Sequence, residues 1–223
     1  MSEKFKLRLE FEKTGRIRFI SHLDLLRVMQ RLFKRAGVPL WHSEGFNPHP
    51  YLNFLQPMPL GIEGLNEPLD IRIEGDMSFK EIKSRLNAVM PEGIEIVDVL
   101  KPEHKPNEIA AAEYEIDVYF SNPAEAEGFA AGAESVIRGG VLNAEKRSKR
   151  GIKTVNLCEL VRSFETEVCE NKVRVKTILA AGNTVNLNAE LLMTALYGEF
   201  AADPEKTDIV RTRLLREDLS IFE

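Results

Sequence analysis

The 223 residues are 43% hydrophobic and 29% charged with a net charge of −5, enough for one large domain or two small ones with real cores. No run of about 18 apolar residues is present, which argues against a membrane protein, and "MSEKFKLRLEF" lacks the apolar stretch of a signal peptide. Cys158 and Cys169 form no CxxC pair and read as ordinary thiols of a cytoplasmic protein, with neither cofactor nor metal expected.

In chain order, "KFKLRLEF" alternates at period two and places Phe5, Leu7, Leu9 and Phe11 on one face of a strand. Lys13-Thr14-Gly15 turns the chain. Ser21 followed by Asp24 opens a helix in the manner of a capping box. Leu25, Leu26, Met29, Leu32, Phe33 and Ala36 form its apolar stripe, and Gly37 and Pro39 stop it. After the loop that begins "SEGFNPHPY" come "LNFLQPMPLG" and "PLDIRIEG" as the next two strands, "SFKEIKSRLNAV" as an amphipathic helix and "IEIVDVL" as a final strand. Strand, helix, two strands, helix, strand is the order of a ferredoxin-like unit.

"KPEHKPNEIAA" (101–111) reads as a linker. Beyond it the order repeats: "EYEIDVYF", a helix from Pro123 to Gly139, the hairpin "FETEV" and "KVRVKTIL", the helix "NAELLMTALYG" and the strand "TDIVRTRLL". No residue-level repeat joins the halves. The expected fold is α+β, with two tandem ferredoxin-like (βαββαβ) domains at 1–104 and 112–223; a single mixed α+β domain is the alternative.

Charge is unevenly distributed. Residues 1–50 carry ten Lys/Arg against five Asp/Glu, and residues 106–223 carry fourteen against twenty. Arg27, Arg31, Lys34 and Arg35 recur at helical spacing opposite the apolar stripe, with no acid from Arg27 to His42. Arg16 and Arg18 sit upstream on alternate positions, expected on one side of the chain. Guanidinium forks in such a row suit phosphate oxygens; a solvated helix face is the plain alternative.

The loop after this helix has its own chemistry. Gly45 allows positive φ, Pro48 and Pro50 stiffen the chain, and Asn47 and His49 offer polar edges. Phe46 and Tyr51 offer rings for stacking on bases. The alternative is a rigid turn whose Phe46 plugs the core. A second basic stretch, "EKRSKRGIK", brings Lys146, Arg147, Lys149, Arg150 and Lys153 into what reads as a mobile loop, a second phosphate contact or a solvated surface. His22, His42 and His49 match no compact metal motif. As general bases, His22 or His49 would suffice for metal-independent RNA cleavage.

One stretch carries a family signature: Arg18-Phe19, Ser21-His22-Leu23-Asp24, Arg27, Arg35-Ala36-Gly37, Pro39, Ser43, Gly45-Phe46-Asn47-Pro48-His49-Pro50, Pro59-Leu60-Gly61 and Asp70. Over this first third, the chain resembles the bacterial radical SAM-linked proteins, a domain of unknown function found free-standing or fused to radical SAM proteins. The resemblance implies a radical SAM partner and a setting in RNA processing. The chain has no three-cysteine cluster motif and so resembles the free-standing accessory form. It departs at Tyr51, where the resemblance implies a basic residue.

The expected function is a non-enzymatic RNA-binding accessory protein that works with a radical SAM enzyme in tRNA or rRNA modification or processing. Two alternatives stand beside it. One is a metal-independent endoribonuclease using His22 or His49. The other is an interaction module that docks on the radical SAM partner without touching RNA.

Overall fold

A computed structural model describes residues 4–148, 151–182 and 185–223. The chain divides into two compact units, one ending at Pro106 and joined by Phe222–Glu223, the other Asn107–Ile221. The break thus falls inside the expected linker, but the last two residues return to the first unit.

The first unit runs β1 (Lys4–Lys13), α1 (His22–Ala36), β2 (Leu52–Phe54), β3 (Ile62–Glu74), α2 (Phe79–Asn87) and β4 (Ile94–Leu100). Its strands lie in the order β4-β1-β3-β2, each antiparallel to its neighbour. Leu7, Leu9 and Phe11 of β1 are buried with Leu25, Met29, Leu32 and Phe33 of α1 and Ile82 and Leu86 of α2, as their periodicities require. Local chemistry sets the ends of α1. Ser21 Oγ accepts the Asp24 N–H at 3.1 Å, and Gly37 at φ 66° closes the helix in the left-handed conformation that other residues avoid.

Two features depart from the sequence reading. Gly15–Phe19 forms a 3₁₀ turn. Residues two apart in such a turn are separated by about 120°, so Arg16 and Arg18 do not share a side. The other face of β1 is solvated only in part: Lys6 is exposed, but Arg8 and Asp70 are both 0% exposed, with Arg8 Nε donating to Asp70 Oδ1 at 2.8 Å and Nη2 to the His104 carbonyl at 3.0 Å. Lys6 Nζ adds a contact to Asp70 at 3.0 Å, and the Phe222 ring lies 4.5 Å from the Arg8 guanidinium.

The second unit runs β5 (Ala111–Tyr119), α3 (Pro123–Gly139), β6 (Asn143–Ser148), β7 (Gly151–Asn156), β8 (Val161–Cys169), β9 (Lys172–Ala180), α4 (Ala189–Phe200) and β10 (Lys206–Leu215). Its sheet follows the order β10-β5-β9-β8, again antiparallel. Gly132 permits the close approach of α3 and α4: a Cβ there would lie 2.7 Å from the Phe200 ring. The described parts of the stretch read as a mobile basic loop, residues 145–148 and 151–153, instead lie in the two-stranded ribbon β6–β7, in which Asn143 pairs with Asn156 and Lys146 with Lys153. Among the described residues, no helix is long and apolar enough to cross a membrane.

Candidate nucleic-acid interface

The basic face of α1 is exposed. Arg31, Lys34 and Arg35 are open to solvent and have no ion-pair partner among the described residues; Arg27 pairs with Asp24 at 2.9 Å. Hydrogen bonds from Ser21 and Arg27 hold the Asp24 carboxyl below its usual range, so this acid stays ionised and offsets Arg27. Arg27, Arg31 and Arg35 follow at intervals of four residues, the spacing at which like charges repel across a helical turn by a few tenths of a kcal/mol, roughly 0.2–0.5.

Beside this face lies a groove of about 980 Å³. Arg27, Arg31 and Lys34 contribute from α1, and His42, Pro50 and Glu74 from outside it; the buried Phe33, Val38 and Leu40 also reach its lining. The cations of α1 therefore share one concavity with the stem of the loop. Arg35 is not on its lining.

Both limbs of the loop hang on β3. Trp41 N–H donates to the Arg72 carbonyl at 2.8 Å and Glu74 N–H to that of Pro39 at 2.9 Å on one limb, while Leu52 pairs with Ile71 on the other. The limbs also hold each other. Tyr51 N–H donates to the Trp41 carbonyl and Ser43 N–H to that of His49, both at 2.9 Å. His49 N–H donates to Ser43 Oγ at 3.2 Å, and His49 Nδ1 lies 2.9 Å from that same oxygen and 3.3 Å from the Asn47 carbonyl. A proton on Nδ1 satisfies the Asn47 carbonyl and leaves Nε2 as the free acceptor. The tip is short. Gly45 adopts φ 128° with open space around it, and Phe46 is fully exposed at 112% of its reference area. Phe46 therefore plugs no core. Asn47 and His49 are exposed beside it.

Tyr51 differs from Phe46. It is half-buried, and the Arg72 guanidinium sits 4.5 Å from its ring centroid and 5.3 Å from that of Trp41. The sequence reading missed Arg72, whose only signal is its place in β3, out of phase with the buried Ile71 and Ile73. Tyr51 supports the loop, and one of its faces is already taken by a cation.

The other sequence candidates separate. Arg16 is exposed, whereas Arg18 is half-buried and pairs with Glu63 at 3.4 Å. The Arg18 carbonyl accepts from Gly61 N–H at 3.0 Å and from the Lys13 ammonium at 3.2 Å, tying the 3₁₀ turn to the segment before β3. Among His22, His42 and His49, no hydrogen bond or ring contact joins any two: His22 packs on Phe54 at 5.2 Å, and His42 Nδ1 lies 3.0 Å from the Leu40 carbonyl. Among the described residues, no group of three His, Cys, Asp or Glu is placed to hold a metal. In the ribbon β6–β7, Lys153 is exposed. Lys149 and Arg150 lie outside the described residues, as do the side chains of Lys146 and Arg147.

A family model described as "Uncharacterized protein conserved in bacteria" (DUF2344) matches residues 6–189. No curated protein matches the chain. Among solved structures, a Cbf5-Nop10-Gar1 complex aligns at a TM-score of 0.49 and 12% identity over 95% of this chain and 50% of that one, so this chain spans half the length of that chain. An unknown protein from Galdieria sulphuraria aligns at a TM-score of 0.26 and 13% identity, covering 93% of this chain and 96% of that one. Neither likeness is close enough to transfer a function.

Proposed function

The chain belongs to the bacterial DUF2344 family, and we propose that it is a non-enzymatic RNA-binding accessory protein that works with a radical SAM enzyme on tRNA or rRNA. One observation carries the RNA reading. Arg31 and Lys34, which have no ion-pair partner among the described residues, share a groove with the stem of a rigid loop that ends in a bare aromatic ring. Phosphates bind along Arg27, Arg31 and Lys34, with Arg35 and Arg16 at the margin. Phe46, Asn47 and His49 meet bases or the partner. Arg18 and Tyr51 act through the scaffold, since both already hold internal partners. The radical SAM partnership rests on the sequence resemblance alone. We also read each unit as ferredoxin-like, on the orders β4-β1-β3-β2 and β10-β5-β9-β8.

The test is fluorescence anisotropy with labelled tRNA and rRNA fragments across a salt series. Each phosphate contact contributes a log–log slope of about −0.7 to −0.9. The Arg31→Ala/Lys34→Ala variant is expected to flatten that slope by about 1.5, the share of two phosphates. Equal affinity of wild type and variant at low salt removes the RNA reading, and the loop then becomes a docking surface for the partner protein. Co-elution with a radical SAM protein of the same bacterium tests the partnership, and separate elution ends it.

A further inference from the structure

We infer that this site takes unpaired nucleotides and not duplex: Phe46 stacks on a base while Arg31 and Lys34 hold the neighbouring phosphates. The inference rests on the RNA-binding reading above and narrows it to one class of RNA.

The first observation is the ring itself. Phe46 exceeds its reference exposure, so neither face is covered by the protein. A phenylalanine left bare in water gains free energy when a flat apolar partner covers it. The loop beneath it is already ordered by the Ser43–His49 contacts, by two prolines and by the anchorage of both limbs on β3. Little conformational entropy remains to be lost when the ring is covered, which is the condition for an efficient contact.

The second observation is the neighbouring charge. The groove lies at the loop's own stem, through His42 and Pro50, and its cations Arg31 and Lys34 form no ion pair among the described residues. A bare ring alone fits any apolar partner. A bare ring at the tip of a loop whose stem lines the same groove as these cations fits a ligand that alternates flat aromatic groups with negative charge, and single-stranded nucleic acid is that polymer. Glu74 also lines the groove. Its carboxylate repels a phosphate but accepts from the amino group of a base, so the backbone keeps to the α1 side.

The third step is steric. In an A-form duplex each base is covered on both faces by its neighbours, and the major groove is too deep and narrow for side chains. Phe46 finds an open base face only in a loop, a bulge or a free end. The other rings of the loop do not substitute for it, because Trp41 and Tyr51 stand against Arg72.

The experiment compares three RNAs of equal length and label at one salt concentration: a single strand, a hairpin with a long loop and a blunt duplex. They are titrated with wild type, Phe46→Ala, Phe46→Trp and Arg31→Ala/Lys34→Ala. The single strand and hairpin are expected to bind wild type at least about tenfold more tightly than the duplex. Phe46→Ala is expected to lose about tenfold on the single strand, the scale of one base–aromatic stack, with its salt slope unchanged. Phe46→Trp is expected to restore binding, with its fluorescence quenched by the single strand. If duplex binds as well as single strand and Phe46→Ala binds both like wild type, while Arg31→Ala/Lys34→Ala still loses affinity, the inference is wrong and the RNA reading stands. If wild type binds none of the three RNAs, both fall.

Discussion

The cations of α1 and those of the second unit's sheet differ in their company. In the sheet, Arg174 donates to both oxygens of Asp117 at 2.8 and 2.9 Å, Lys172 reaches the same carboxylate at 3.4 Å, and Arg213 meets Glu113 at 2.9 Å. These pairs follow from register: Asp117 lies opposite Arg174 and Arg213 opposite Glu113 on adjacent strands, where opposite charges attract. Along α1, the positions one turn from Arg31 hold Arg27 and Arg35. The helix thus concentrates like charge where the sheet cancels it. The lesson is that charge balance within a neighbourhood, and not the count of basic residues, decides which cations stay unneutralised.

Experiments on both regions break or sharpen this contrast. The largest effect is expected from a third kind of cation, the fully buried Arg8. Asp70→Ala leaves it without its carboxylate, and urea unfolding is expected to show a loss of about 3–5 kcal/mol, the cost of an uncompensated buried charge. A loss under about 1 kcal/mol would mean that water reaches Arg8.

Next come the free cations themselves. Arg31→Ala/Lys34→Ala is expected to weaken RNA binding by more than about tenfold at low salt, because two phosphates then go unneutralised, while Arg174→Ala/Arg213→Ala leaves it unchanged. Equal losses in the two variants would show that position is irrelevant and refute the contrast.

Acid reads the paired cations. Hydrogen bonds from Arg174 hold the Asp117 carboxyl below its usual range. A depressed folded-state value stabilises the protein above the unfolded value and is lost as pH falls through the folded one. At pH 6, wild type is therefore expected to exceed Asp117→Asn by at most about 1 kcal/mol, as for a part-exposed pair. The gap is expected to close as pH drops from about 4, where the unfolded carboxyl protonates. A gap that persists unchanged at pH 2 would assign it to packing.

The smallest effect is expected at Asp24. Asp24→Asn releases Arg27 from its partner, so RNA affinity is expected to rise by about twofold while the N-terminus of α1 loses only slightly in stability. A fall in affinity would show that the Asp24–Arg27 pair orients the arginine for binding.

Much of α1 was legible because its determinants are local. Ser21, Gly37 and the apolar spacing act within a turn or two, and so does the row of cations opposite. The order of elements along the chain was readable for the same reason. What failed was non-local. Gly15–Phe19 is bent by Glu63, which accepts Gly15 N–H at 3.0 Å from far along the chain. Arg8 and Lys6 alternate with apolar residues like any solvated strand face, yet His104 and Phe222 cover Arg8. The ribbon β6–β7 lacks apolar alternation, and its strands are recognisable only by their pairing.

By itself, then, the sequence determined the order of the main helices and strands, the ends of α1, the unbroken basic row and the stiffness of the loop, because each depends on neighbours within a few residues. Tertiary structure alone decided which charges are free. It buried Arg8 with Asp70, engaged Arg18 with Glu63 and laid Arg72 on Tyr51, and it left Arg31, Lys34 and Phe46 uncovered. The physical reason is that a charge or a ring is neutralised by whatever the fold brings within a few ångströms, and that partner is dozens of residues away.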